Sequence, residues 1–508
     1  MEQKRSFLNS LLRLLLLAAA SVLFLAVCSL STTPLLHTYV GQDAAFFRLV
    51  GQGMKEGLLP YRDFFDMKGP YLFLMEYLGQ LFFPGRLGAF ALQAVCLFVS
   101  LLFAQKILDL ALPERGCPVW AELLLLIPSA VVLSYTMTDG NLTEELSLPF
   151  LMPCLYLVLK YLGRTRLPSP ENQDHPIWYG FFYGVIFGVM ALIRITNAAL
   201  IGAILLTVTC NLLKWKRFRN FFANAAMFLL GTAAGLLPGC LWALGNGILG
   251  DMFAQVFLFG FAYSDEASLV QKLPGLLTIW PCLLAGAMPL AVLLVYRVRD
   301  WKHWLLFFSG YATLLLAAAM GNAYVHYFVL ALPLCVYGSY LLAWQCTRRW
   351  KKRTGDRGVC LALSAALFVG ILGAQLPLLY PWFQQEAKLA MYRARTHQED
   401  ETDQKAIHAL AAQIPEGKTV YVYGLPSCSA WYLQAGKMPP MRYCDWQPHY
   451  IQLDPEIGAQ IEAYLTEREP DYVVTPAAGT EPASIAAALE AGYTELDTQG
   501  DYILWEKE

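Results

Sequence analysis

The chain has 508 residues, of which 57% are hydrophobic and 15% charged, with a net charge of −2. A soluble protein of this size carries about 25% charged residues to cover its surface, so an ordinary water-soluble globule is excluded. The near-zero net charge gives no basis for a nucleic-acid partner, and Lys and Arg cluster only in loops that flank apolar blocks.

The apolar residues fall in blocks of about 20, the length a helix needs to cross a hydrocarbon core of about 30 Å. The pattern predicts about eleven spans, near 11–30, 87–109, 119–138, 145–162, 177–192, 195–213, 221–243, 275–296, 304–320, 325–346 and 358–379. The first is read as an uncleaved span, because it is long and lacks a small-x-small cleavage site. After Pro381 the blocks stop and charges become frequent. The expected fold is mainly α, with two domains. Residues 1–380 form a polytopic membrane helical bundle with a large first outer loop, 31–86, and residues 381–508 form a small soluble α/β domain.

Basic residues set the expected orientation. With the N-terminus inside, the inner segments hold 21 Lys and Arg, while the short outer loops hold Arg194 and Lys272. The predicted location is therefore the cell membrane, with a cytoplasmic N-terminus and an extracytoplasmic C-terminal domain.

The first outer loop is too long for a connector. Residues 43–56 read as a short helix lying in the membrane interface, with Phe47, Val50 and Met54 on one face. Asp43 stands at its start, where a carboxylate either caps the helix or serves as a general base at the membrane surface. The segment Tyr61-Arg62-Asp63-Phe64-Phe65-Asp66-Met67-Lys68-Gly69-Pro70 is rich in charge. Residues 71–83 are too few to span and are expected on or in the outer leaflet.

The next outer loop carries Asp139, Asn141, Thr143, Glu144 and Glu145. A helix start, with Asn141 or Thr143 as cap, accounts for the two glutamates better than for Asp139. Arg194 lies between two apolar blocks, where it either snorkels to head groups or serves function. His326 and Tyr327 also sit at an outer span end, where structural roles compete with a site. Two acids, Asp43 and Asp139, thus share one face with Lys68, Arg194 and His326, groups able to hold a phosphate and deprotonate an alcohol.

In the tail, residues 385–412 read as a helix, 418–423 as a strand, 457–465 as a helix, 471–475 as a strand, 485–491 as a helix and 502–505 as a strand. Trp431, Tyr432, Tyr443, Trp446 and Tyr450 fit core packing or stacking on sugars. Twelve cysteines are present, ten of them in or beside apolar spans. Cys428 and Cys444 are the one pair weighed as a disulfide against two free thiols.

The stretch from Asp43 to Pro70 resembles the first outer loop of the glycosyltransferase-C superfamily. It is most similar to bacterial members grouped with protein O-mannosyltransferases and lipid A aminoarabinose transferases. The resembling residues are Asp43, then Gly57-Leu58-Leu59-Pro60-Tyr61-Arg62-Asp63, then Lys68-Gly69-Pro70. The resemblance continues through Thr143-Glu144-Glu145, Gly188 to Arg194, and His326-Tyr327 followed by Pro333. It implies an inverting membrane glycosyltransferase moving a sugar from a polyprenyl-phosphate carrier to an extracytoplasmic glycan, lipid or protein. Asp43 would take the acceptor's proton. Lys68, Arg194, His326 and Tyr327 would hold the carrier phosphate. Arg62, Asp63, Asp139 and Glu144 would orient substrate, and in some members the residue at Asp139 helps bind a metal. Two departures, Ala44-Ala45-Phe46 after the acid and Gly69 within Lys68-Gly69-Pro70, leave acceptor identity and any divalent-cation cofactor open. The competing reading is a multi-span transporter or lipid flippase. That reading lacks internal repeats and polar groups at the membrane midplane.

Overall fold

A computed structural model of the chain describes residues 2–36, 40–112, 119–166, 169–260, 280–320, 324–351, 364–373, 375–376, 401–479 and 481–508. The bundle begins with α1 (Glu2–Cys28), α2 (Asp43–Lys55), α3 (Pro70–Phe82), α4 (Arg86–Asp109), α5 (Val119–Thr136) and α6 (Thr143–Arg164). It continues through α7 (Ile177–Ala191), α8 (Ala199–Lys214), α9 (Phe218–Gly245) and α10 (Leu249–Phe253), which runs into a π-helical turn at Ala254–Phe259. Then come α11 (Trp280–Gly286), α12 (Met288–Val295), α13 (Trp301–Met320), α14 (Leu332–Lys351) and α15 (Ser364–Gly373).

Among the described residues, seven helices are long and apolar enough to cross a membrane: Ser10–Cys28, Arg86–Asp109, Val119–Thr136, Thr143–Arg164, Ile195–Lys214, Phe218–Gly245 and Val325–Arg348. The chain is a multi-pass membrane protein. Of the other expected spans, 304–320 lies within the unbroken 20-residue α13, and the rest differ from a full-length span or are only partly described. The segment 177–192 is the 15-residue α7. The described part of 275–296 divides into α11 and α12 at Ala287, where Pro289 opens the second helix and Met288 packs on Gly338. Of 358–379, only α15 and residues 375–376 are described.

Two packing devices shape the part of the bundle that carries the site. α7 and α9 meet through glycines four residues apart, Gly180, Gly184 and Gly188 against Gly231 and Gly235. A Cβ at Gly184 would sit 2.1 Å from the Phe228 carbonyl oxygen, so only glycine lets these backbones approach. Tyr71 of α3 inserts its hydroxyl into α9 beside Pro238. It donates to the Gly235 carbonyl at 2.7 Å and accepts from the Gly239 N–H at 3.0 Å. That hydroxyl takes the place of one backbone bond where proline already breaks the helical ladder.

The helix expected to lie in the membrane interface is instead buried. Ala44 through Gly51 of α2 are all enclosed, Arg48 included, and the helix packs on α3 and on the tail. Nor does Asp43 cap it, because Gln42 holds the cap position and no side chain bonds the first turn.

The tail contains α16 (Glu401–Ala411), β1 (Val420–Val422), α17 (Cys428–Ala435), α18 (Gln447–Leu453), α19 (Pro455–Thr466), β2 (Tyr472–Pro476), α20 (Ala483–Gly492), β3 (Tyr493–Gln499) and β4 (Tyr502–Lys507). The sheet order is β1-β2-β4-β3, with β1 parallel to β2 and the other pairs antiparallel. The expected helix start at 385–400 lies outside the described residues. Cys428 and Cys444 are buried free thiols. Trp431 and Tyr432 belong to the tail's core, the Tyr432 hydroxyl accepting from the Val422 N–H at 2.9 Å.

A candidate active site between the bundle and the tail

One end of the bundle and the tail enclose a cavity of about 490 Å³, within the usual range of small-molecule sites. Its walls come from several segments far apart in the chain. The start of α2 gives Gln42, Asp43 and Ala44. The segment before α3 gives Met67 and Lys68. The turn before α6 gives Thr138, Asp139 and Gly140. The turn after α7 gives Arg194, Ile195 and Thr196, beside His326 and Tyr327. The tail gives Trp446, His449 and Tyr450.

Asp43 occupies the first helical position of α2, half-buried at the cavity wall. Lys68 is placed by the chain on both sides of it. The Tyr61 hydroxyl donates to the Lys68 carbonyl at 2.8 Å. The Gly69 N–H donates to the Ile193 carbonyl and the Tyr71 N–H to the Leu192 carbonyl, each at 2.9 Å. A Cβ on Gly69 would fall 2.2 Å from the Leu192 carbonyl. The same bonds therefore fasten the Lys68 segment to the turn that carries Arg194. They also account for Gly69 inside the Lys-x-Pro element, since a proline there would lack the N–H given to Ile193.

The Lys68 ammonium stands 3.3 Å from Asp66 Oδ1. Asp66 is fully buried. Its carboxylate accepts from the Met67 N–H at 2.6 Å, and its own N–H donates to Gln255 Oε1 at 3.1 Å. Burial pushes the Asp66 carboxyl above its ordinary range, against the pull of the Lys68 ammonium. Gln255, in the π-helical turn, donates to the Tyr61 carbonyl at 2.8 Å. A π turn at a site is a recurrent arrangement, and Val256 and Phe257 of the same turn line the cavity.

Arg194 is paired rather than snorkelling. Its guanidinium lies 2.6 Å from Glu144 Oε1 and 4.2 Å from the Tyr327 ring centroid. Glu144 is buried in the first turn of α6. The expected caps are not formed there, since Leu142 holds the cap position and Asn141 donates to Glu76 Oε1 at 2.8 Å. The turn that presents Asp139 has left-handed backbone at Thr138, Gly140 and Asn141. The His326 ring packs edge-on against Tyr327 at 4.6 Å. Glu144, Asp43, Arg194 and Lys68 all lie within electrostatic reach of it.

Arg62 and Asp63 are not brought to the cavity. They pair with each other at 2.8 Å on an exposed turn, where Asp63 also accepts from the Leu59 N–H. Their partner choice is local, as neighbours on one turn. No group of three or more His, Cys, Asp or Glu side chains that could hold a metal gathers among the described residues.

Sequence reasoning passed over Asp66, Gln255 and His449. Asp66 had a signal, an acid two residues before the lysine. The other two had none, because they arrive from 189 or more residues away in the chain.

The solved structures similar to this chain include ArnT from Cupriavidus metallidurans. The ArnT structure bound to undecaprenyl phosphate matches with a TM-score of 0.58 at 14% identity, covering 97% of each chain. The ArnT structure in the apo state matches with a TM-score of 0.57 at 12% identity, covering 98% of each chain. No family model matches the chain, and a search of curated proteins finds no match. At these identities the likeness is one of fold alone, which the chain shares with ArnT over nearly its whole length.

Proposed function

We propose that the chain is a membrane glycosyltransferase that moves a sugar from a polyprenyl-phosphate carrier to an acceptor outside the cytoplasmic membrane. One observation carries the reading: Asp43 shares a single cavity with Lys68, Arg194, His326 and Tyr327. A fold shared with a protein solved with undecaprenyl phosphate supports the choice of carrier. The excess of Lys and Arg in the opposite loops supports an extracytoplasmic cavity and tail.

In this reading the carrier's phosphate lies against Lys68 and Arg194, whose charges offset the negative charge that grows on the leaving group. Lys68 serves as a point charge held by Asp66, and Arg194 as a planar fork held by Glu144 and Tyr327. The acceptor hydroxyl attacks the anomeric carbon from the side opposite the phosphate. The new carbon–oxygen bond forms as the bond to phosphate breaks, so the configuration inverts. Asp43 takes the hydroxyl proton, and polyprenyl phosphate leaves. Asp139 stands in the same wall and orients the reacting groups.

The test is sugar transfer in proteoliposomes from a panel of radiolabelled polyprenyl-phosphate sugars, wild type beside Asp43→Asn. Transfer should fall by about 10²–10⁴, the usual contribution of a general base, while undecaprenyl phosphate binding is retained. Transfer that survives the substitution would remove Asp43 from the reaction. Failure of the wild type to bind undecaprenyl phosphate would remove the carrier.

A further inference from the structure

The tail's contribution to the cavity is built with unusual care. Trp446 has left-handed backbone, with φ of +57°, a conformation costly for a bulky residue and kept only where the surroundings enforce it. Here Asp445 enforces it. Its buried carboxylate accepts from the N–H groups of Trp446 at 3.0 Å, Ser429 at 3.1 Å and Cys428 at 3.2 Å. The next residue, Gln447, is also buried and ties the start of α18 to β1, donating to the Val422 carbonyl at 2.9 Å. These bonds hold the half-buried Trp446 at the cavity wall, with its side chain packed in part on the tail's core, and one turn later α18 delivers His449 and Tyr450 to the same wall. Tyr450 is fixed from behind by Phe65, 5.1 Å away, and Phe259, 5.8 Å away. The Asp43 carboxylate lies within electrostatic reach of Tyr450.

We propose that Trp446, His449 and Tyr450 form an acceptor subsite that takes a saccharide, with a pyranose ring lying on the Trp446 indole and its hydroxyl rim toward His449. This deepens the transferase reading and rests on it. A pyranose has an apolar face of C–H groups and a rim of hydroxyls, which a rigid aromatic beside hydrogen-bonding side chains matches. A peptide acceptor bound by strand addition would need an open sheet edge. This wall offers a helix start instead, and β1, the strand to which Gln447 is tied, is buried throughout.

The test uses the full-length protein in nanodiscs, labelled with 5-fluorotryptophan and followed by ¹⁹F NMR. The Trp446 resonance is assigned by its loss in Trp446→Phe. Undecaprenyl phosphate is added to saturation, then methyl α-mannoside, methyl β-glucoside, methyl N-acetylglucosaminide and maltotriose in turn. At least one saccharide should shift the Trp446 resonance. Titrations read by saturation-transfer difference should show binding at least about tenfold weaker in Trp446→Ala and close to wild type in Trp446→Phe. Undecaprenyl phosphate binding should stay within about twofold in both variants, which shows that they fold. A shift by the peptide Ala-Ala-Thr-Ala-Ala alone would overturn the saccharide in favour of a protein acceptor. No shift by any probe would overturn the subsite. Absence of undecaprenyl phosphate binding in the wild type would strike the transferase reading, and a saccharide shift at Trp446 is scored separately from it.

Discussion

At the scale of single residues, the site is a set of charges held by other charges. Arg194 reaches the cavity with its guanidinium fixed by Glu144, which is almost wholly enclosed. Removing one member of such a pair leaves the other uncompensated, at about 3–5 kcal/mol for a fully buried pair. Arg194 keeps a fifth of its side-chain surface, so Glu144→Ala is expected at the low end, about 3 kcal/mol. Glu144→Gln, which keeps an acceptor but loses the charge, should cost less. Thermal unfolding of the purified protein reads both, and an Ala variant as stable as wild type would show that the pair holds nothing. The members of this set were unevenly legible in the sequence. Asp43, Lys68, Arg194 and His326 stand out as polar groups at the edges of apolar blocks, where each needs a reason to be. Glu144 was equally visible but had a sufficient local reason, the first turn of a helix, and only the fold shows that it faces Arg194. Arg62 and Asp63 stood in the same charged segment as Lys68, yet nothing in their spacing told that they would satisfy each other on an exposed turn. Trp446 was visible as an aromatic. Its left-handed backbone, which sets it apart from the buried Trp431, follows from the Asp445 carboxylate and has no sequence signature.

At the scale of elements, the joint between the Lys68 segment and the Arg194 turn fixes the distance between the two cations. Two backbone hydrogen bonds and one side-chain-free position make that joint. Gly69→Ala puts a methyl against the Leu192 carbonyl, and overpacking of this kind costs about 1–3 kcal/mol. Gly69→Pro adds the loss of the bond to Ile193. Both should weaken undecaprenyl phosphate binding, proline more than alanine, because Lys68 moves relative to Arg194. Binding measured in nanodiscs checks the order, and unchanged affinity in both would mean that the joint does not set the cation spacing. The long spans were legible, since 20 apolar residues have few other uses in water. The short and broken ones were not, because α7 and the α11–α12 pair are held by neighbours rather than by length. The Gly180, Gly184 and Gly188 spacing of α7 was written in the sequence, but its partner, Gly231 and Gly235 on α9, becomes meaningful only when the two helices face each other. The burial of α2 was also hidden. Its amphipathic pattern suits a membrane surface and a protein lid equally, and the tail that covers it lies hundreds of residues later.

At the scale of the whole molecule, the site exists only while the tail sits on the bundle. Beside the packing of α2 on the tail, the contact is anchored by Phe65. Its N–H donates to the Arg442 carbonyl at 2.9 Å, and its ring packs against Phe259 of the bundle and against Tyr443 and Tyr450 of the tail, at centroid distances of 4.9, 5.1 and 5.1 Å. Truncating a buried Phe to Ala costs about 3–5 kcal/mol in a core. Here that cost falls on the joint between two bodies rather than on the core of either. Phe65→Ala should therefore loosen the tail while leaving the cation pair intact, because Lys68 and Arg194 are fastened by the Gly69–Ile193 bond and not by the tail. The expected result is faster amide hydrogen exchange across Gln447–Leu453, undecaprenyl phosphate affinity near that of wild type, and impaired sugar transfer. Exchange isolates the opening of the joint from global unfolding, since a local opening exposes α18 without exposing the spans. Equal loss of carrier binding and transfer would show instead that bundle and tail form one cooperative unit, with the carrier site depending on both.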